Sequence, residues 1–158
     1  MSDAASVNLQ PMTRERLAVW LPDSMAQYEQ SRIDAGDSPE AAAANRRASE
    51  ERLFPDGEPA PGQLLFSAML DGREAGWLWV GPFAEGADWW VWDVEVHEEF
   101  RRRGLGRVIM QRAEEIAREH GASSLGLNVF AYNTGARALY ESLGYETTAI
   151  NMKKTWAD

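Results

Sequence analysis

Apolar and polar positions repeat along this chain with two periods, and the change from one to the other divides it near residue 64. Val7 to Met12 reads as a short first strand. Thr13 then stands as an N-cap for a helical run with Glu15 and Glu29 in or near it, a run that Pro22 should break or kink. Ser38-Pro39-Glu40 places a capping serine before a proline at the first helical position, so the alanine-rich AAAANRRASEERL predicts a second helix ending near Phe54-Pro55. Proline and glycine concentrate from Pro55 to Gln63, which predicts a loop.

From Leu64 the period is that of strands. LLFSAML, the turn Asp71-Gly72 and EAGWLWVG predict a hairpin, and WWVWDVEV, Trp89 to Val96, predicts a strand paired with its predecessor. Leu105, Val108, Ile109, Ala113, Ile116 and Ala117 then recur at helical spacing, with Gly121 as the stop. LGLNVF, Leu125 to Phe130, predicts a further strand. A shorter helix with Ala136, Leu139, Tyr140 and Leu143 closes at Gly144, and Thr147 to Met152 predicts a last strand.

The length of 158 residues fits one domain. No stretch approaches the roughly 18 apolar residues that cross a bilayer, and MSDAASVNLQ carries no secretory pattern, so a cytoplasmic location is expected. Cysteine is absent and the two histidines, His97 and His120, lie far apart in sequence, so no metal site is expected. The net charge of −9 argues against nucleic acid or an anionic membrane as partner. An anionic ligand would need positive charge gathered locally, and Arg101, Arg102, Arg103 and Arg107 gather it.

These arginines lie in VEVHEEFRRRGLGRVIM, where Gly104 and Gly106 precede or open a helix whose first N–H groups lack helical partners. Such a turn can bind a phosphate, because a β-carbon at either glycine would obstruct the approach of the main chain. A solvated arginine run beside a helix start is the alternative. The dinucleotide fingerprint fails at Ile109, and no GxxxxGK[ST] occurs.

With Arg101, Gly104 and Gly106 in place, the segment resembles the Arg/Gln-x-x-Gly-x-Gly/Ala acyl-CoA signature of the GNAT N-acetyltransferases. NVFAYNTGARALYESLGYE matches a second family segment through Asn133, Ala136, Tyr140 and Gly144-Tyr145. The resemblance implies an α/β fold of the α+β layered kind, a mixed, mostly antiparallel sheet flanked by helices with splayed central strands. One domain would span residues 1–158, with 1–62 shaping the acceptor site and 64–152 carrying the sheet and the CoA-binding core. It also implies a cofactor site in which the main-chain N–H groups of Arg102, Arg103, Gly104, Leu105, Gly106 and Arg107 hold the CoA pyrophosphate, reinforced by the arginine side chains including Arg101. The pantetheine arm would lie on the exposed edge at Val94 and Val96, with Asn133 and Ala136 as further contacts. For Asn133, a helix cap is the competing role.

The implied reaction moves an acetyl group from acetyl-CoA to a primary amine in a ternary complex. An alkyl amine of pKa near ~10.4 is almost wholly protonated at neutral pH, so a proton acceptor is needed. Glu95 and Asp93, two apart on the cofactor strand, project to one face unless a bulge redirects them, and either can serve. Glu95 can instead form a structural salt bridge or contact a cationic substrate. Tyr140 sits where the family places the acid that protonates the departing thiolate, its other role being ring packing. Trp77 and Trp79 on one strand and Trp89, Trp90 and Trp92 on the next should mostly pack the core. Trp90 and Trp92, opposite Trp89, can also line an acceptor pocket or a homodimer surface. Aromatic faces in an acidic protein suit a cationic amine. The alternative function is a non-catalytic module that binds acyl-CoA as a sensor.

Overall fold

Five strands form one sheet in the order β1-β2-β3-β4-β5 in the computed structural model, which describes residues 6–84 and 86–157. The chain divides into two units, Met1–Asn128 and Val129–Asp158.

In the first unit, β1 (Asn8–Pro11) leads into α1 (Arg14–Asp34), whose first turn is capped by Thr13 Oγ1 accepting from the Arg16 N–H at 3.1 Å. The helix runs on through Pro22, which rules out the break that was one of the two outcomes expected there. Its apolar face, with Leu17, Trp20, Leu21 and Met25 buried, spans the proline, and this packing outweighs the hydrogen bond that proline cannot make. Ser38 caps α2 (Pro39–Leu53) by accepting from the Ala41 N–H at 3.1 Å.

β2 (Leu64–Leu70) and β3 (Arg73–Pro82) make the predicted hairpin, with Asp71 and Gly72 both at positive φ (51° and 78°) as a tight turn of this hand requires. β4 (Asp88–Val96) pairs antiparallel with β3, and β5 (Ser124–Leu127) pairs parallel with β4. α3 (Leu105–Glu119) connects those two strands. Trp77 and Trp79 of β3 meet Trp20 of α1 edge-on at 6.3 and 5.8 Å, so α1 covers one face of the sheet. Trp89 meets His120 at 5.0 Å at the end of α3 on the other face. α3 buries Leu105, Ile109, Met110, Ala113, Ile116 and Ala117 there.

β5 is shorter than the expected Leu125–Phe130 because its ladder with β4 ends at the Val91–Leu127 pair. β4 continues to Val96 paired with β3 alone.

The second unit contains α4 (Thr134–Ser142), which ends at the Leu143 cap before Gly144 at φ 97°. Residues 147–152 form no strand, against expectation. No helix among the described residues is long and apolar enough to cross a membrane.

Candidate active site

The two carboxylates of β4 reach their positions through an irregularity. Trp79 pairs with Asp93 but Val80 pairs with Val91, which leaves Trp92 as an extra residue in β4. Without it, Asp93 and Glu95 would share the face of Trp89 and Val91, toward α3. With it, they register opposite Trp79 and Trp77 on the side of α1. The bulge also lies where the β4–β5 ladder ends, so the strand turns its chemistry over at the point where its edge opens.

Asp93 is held there by named donors. The Trp77 indole N–H donates to its Oδ2 at 2.9 Å, and the nearby Ser24 hydroxyl of α1 and Val94 N–H also favour its ionised form. Burial nevertheless pushes its pKa above the ordinary aspartate value, and the nearby negative charge of Glu95 adds to the rise. Glu95 has a different environment. Its Oε1 accepts from the Arg101 guanidinium at 2.7 Å, and the Nε of Arg101 donates to the Val96 carbonyl at 2.8 Å. Arg101 therefore ties together the end of β4, and Val96 already has one main-chain group engaged. The side chains of Val94 and Val96 lie on the α3 side, since Val94 registers with Leu78 and Val96 packs with Leu70, Ala75, Phe100 and Leu105.

A cluster that no sequence motif announces sits beside these groups. In β3, Ala68 pairs with Gly76 while Met69 pairs with Glu74, so Ala75 is a second extra residue and Glu74 turns toward α1. There Glu74 accepts a bidentate bond from Arg16 (2.9 Å for both N–O pairs), bonds the His97 ring Nε2 at 2.9 Å and accepts from the Ser67 hydroxyl at 3.2 Å. Arg16, above all, holds the Glu74 carboxyl down to about 2, assisted by His97 and Ser67 and opposed by burial. The His97 ring also meets Trp77 edge-on at 5.3 Å, so the cluster buttresses the indole that holds Asp93.

α3 begins at the arginine-glycine turn. Arg102 (φ 64°) and Gly104 (φ 80°) both adopt left-handed backbone, and Gly104 is the helix N-cap. No side chain caps this end and no acidic residue occupies the first turn, unlike α1 and α2, whose ends have both. An uncapped helix start flanked by arginine fits a diphosphate, because no side chain bonds its cap and no acidic residue sits in its first turn to compete with an anion for its N–H groups and partial positive charge. Arg103 lies over the Phe100 ring at 5.6 Å.

In the second unit Asn133 acts as the N-cap of α4, its Oδ1 accepting from the Ala136 N–H at 3.3 Å. Tyr140 lies in the last turns of α4, and its ring meets Tyr145 edge-on at 6.1 Å.

Sequence and structure comparisons place this arrangement among known proteins. A model of the acetyltransferase (GNAT) family matches residues 23–145. The N-acetyltransferase YdgE of Bacillus subtilis (strain 168) is 31% identical over 150 residues, which is 92% of this chain and 96% of that protein. The crystal structure of the acetyltransferase YycN from Bacillus subtilis superposes with a TM-score of 0.84 at 29% identity, covering 96% of this chain and 99% of that one. The aminoglycoside N-acetyltransferase AAC(6')-Iy, solved in complex with CoA, shares the fold at a TM-score of 0.58 and 16% identity, covering 95% of this chain and 94% of that one.

Proposed function

Since the chain belongs to the GNAT acetyltransferase family and is an acyl-CoA-dependent acetyltransferase, we propose that it acetylates a cationic primary amine by direct attack on acetyl-CoA, with Asp93 as the proton acceptor. The hydrogen-bonded and partly buried setting of Asp93 carries this reading. A carboxylate raised above its ordinary range holds a proton better than a solvated one, which suits a general base. Glu95 is the weaker candidate, because Arg101 occupies its carboxylate.

Acetyl-CoA supplies the activated acyl carbon. The first-turn amides of α3 at Leu105, Gly106 and Arg107, with the arginines of the preceding turn, bind its pyrophosphate. The open edge of β4 past Val91 orients the pantetheine arm. Asp93 takes one proton from the bound ammonium so that the free amine attacks the thioester carbonyl, and the Tyr140 hydroxyl protonates the departing sulfur, the phenol being restored by the second proton that the acylated nitrogen sheds. Asn133 serves the site by capping α4, the helix that carries Tyr140.

A single pair of measurements tests this reading. Isothermal titration of CoA should give saturable binding to wild type and to Tyr140→Phe alike, while thiol release with an amine panel should fall by about 10²-fold or more in the variant. Equal turnover in the two proteins removes Tyr140 from the mechanism, and failure of CoA to bind wild type removes the whole scheme.

A further inference from the structure

The extra residue of β3 brings His97 against Trp77. The main-chain N–H of His97 donates to the carbonyl of that residue, Ala75, at 2.8 Å, which fixes His97 just past the end of β4. Its ring is fixed separately, because Nε2 lies 2.9 Å from Oε1 of Glu74, and Glu74 is itself anchored by the bidentate Arg16 pair and by Ser67. Held at both points, the imidazole meets the Trp77 indole edge-on at 5.3 Å.

Trp77 is half-buried, with the Arg16 guanidinium 5.9 Å from its ring centroid and Trp20 edge-on at 6.3 Å, so α1 bounds the indole on its side and His97 bounds it from the end of β4. Its N–H meets Asp93 Oδ2 at 2.9 Å, and a hydrogen bond weakens steeply once the donor turns off its line. A tilt of the ring therefore costs this bond before it costs the packing. Edge-to-face contact is directional, which makes the His97 ring a stop against that tilt.

We infer that His97 is a positioning residue of the transfer reaction: it acts through Trp77 and not on the reacting atoms, and by setting the indole it keeps the N–H on the Asp93 carboxylate. The inference rests on the reading of Asp93 as proton acceptor.

Proton–nitrogen correlation NMR of the whole protein reads the indole N–H groups, and Trp77→Phe identifies the Trp77 signal by its disappearance. Because Asp93 is its acceptor, that signal moves as Asp93 titrates. In His97→Ala the signal should lose part of its hydrogen-bond displacement and its titration midpoint should rise, while thiol release with the amine panel falls roughly threefold to tenfold at unchanged KM for acetyl-CoA. His97→Phe keeps a ring and should retain the wild-type midpoint and most of the turnover. Alanine and phenylalanine are both uncharged, and the charged groups nearby, Glu95 on β4, Glu74 on β3 and Arg16 and Asp23 on α1, are the same in the two variants, so their comparison reads the ring alone. Should His97→Ala not fold, His97→Gln, which can still bond Glu74 but carries no ring, should give the outcome expected of alanine. A Trp77 signal and midpoint unchanged without the ring, or altered equally in His97→Phe, overturns the inference and leaves Asp93 in its role. A displaced signal with undiminished turnover removes Asp93 as the proton acceptor and the inference with it.

Discussion

Trp77 holds Asp93 through one hydrogen bond, and that bond stabilises the ionised carboxylate against the rise that burial imposes. Replacing Trp77 by Phe removes the donor and keeps a ring beside Trp20 and His97. The Asp93 pKa must then move further up. A base acts only when deprotonated, so the acid limb of the kcat/KM profile should shift to higher pH while the plateau persists. A limb that stays in place would show that another group accepts the proton. Asp93→Asn offers the complement: it should lower kcat/KM at every pH and abolish this limb.

At the scale of elements, the approach of β3 to β4 sets the position of the carboxylates. A Cβ on Gly76 would lie 1.9 Å from the Glu95 carbonyl oxygen and 3.1 Å from the Val96 Cα, both main-chain atoms that cannot rotate away. Gly76→Ala should therefore push the strands apart, lowering stability by about 2–3 kcal/mol and acetyl transfer along with it. Thermal unfolding beside a turnover assay checks both effects, and an unchanged melting temperature would contradict the close packing.

Much at this scale was legible in the sequence. The caps Thr13 and Ser38, the Asp71-Gly72 turn and the face of α3 follow from local chemistry that the fold leaves intact. The family and its two segments were legible as well. Pro22 misled because the sequence shows the cost of a proline but not the neighbours that outweigh it, and residues 147–152 misled because a strand pattern does not supply a partner. Glu74, Ser24 and Trp77 went unread for another reason. Their role depends on contacts between α1, β2, β3 and the end of β4, and no spacing along the chain encodes such a meeting.

For the molecule as a whole, Glu74 is the clearest link between pH and stability, since it joins α1 to three parts of the sheet. Its folded-state pKa of about 2 lies below the ordinary 4.5. The group therefore stabilises the fold fully above pH 4.5, and the contribution is lost as pH falls toward 2. The shift corresponds to a contribution on the order of 2–3 kcal/mol for a carboxylate that is largely shielded from water. Urea unfolding of Glu74→Gln across pH 2–7 should show the deficit greatest near neutrality and shrinking through that window. A deficit that did not vary with pH would assign the effect to shape rather than charge.

The two extra residues, Ala75 and Trp92, have a bearing on how relatives should be compared. Each reverses the odd–even parity of its strand, so the side a residue faces depends on how many residues separate it from these points and not on its own identity. A one-residue gap between Glu74 and Glu95 would leave every nearby letter recognisable while turning the acids from α1 to α3. Grafts and family alignments through this stretch must therefore conserve count before they conserve type.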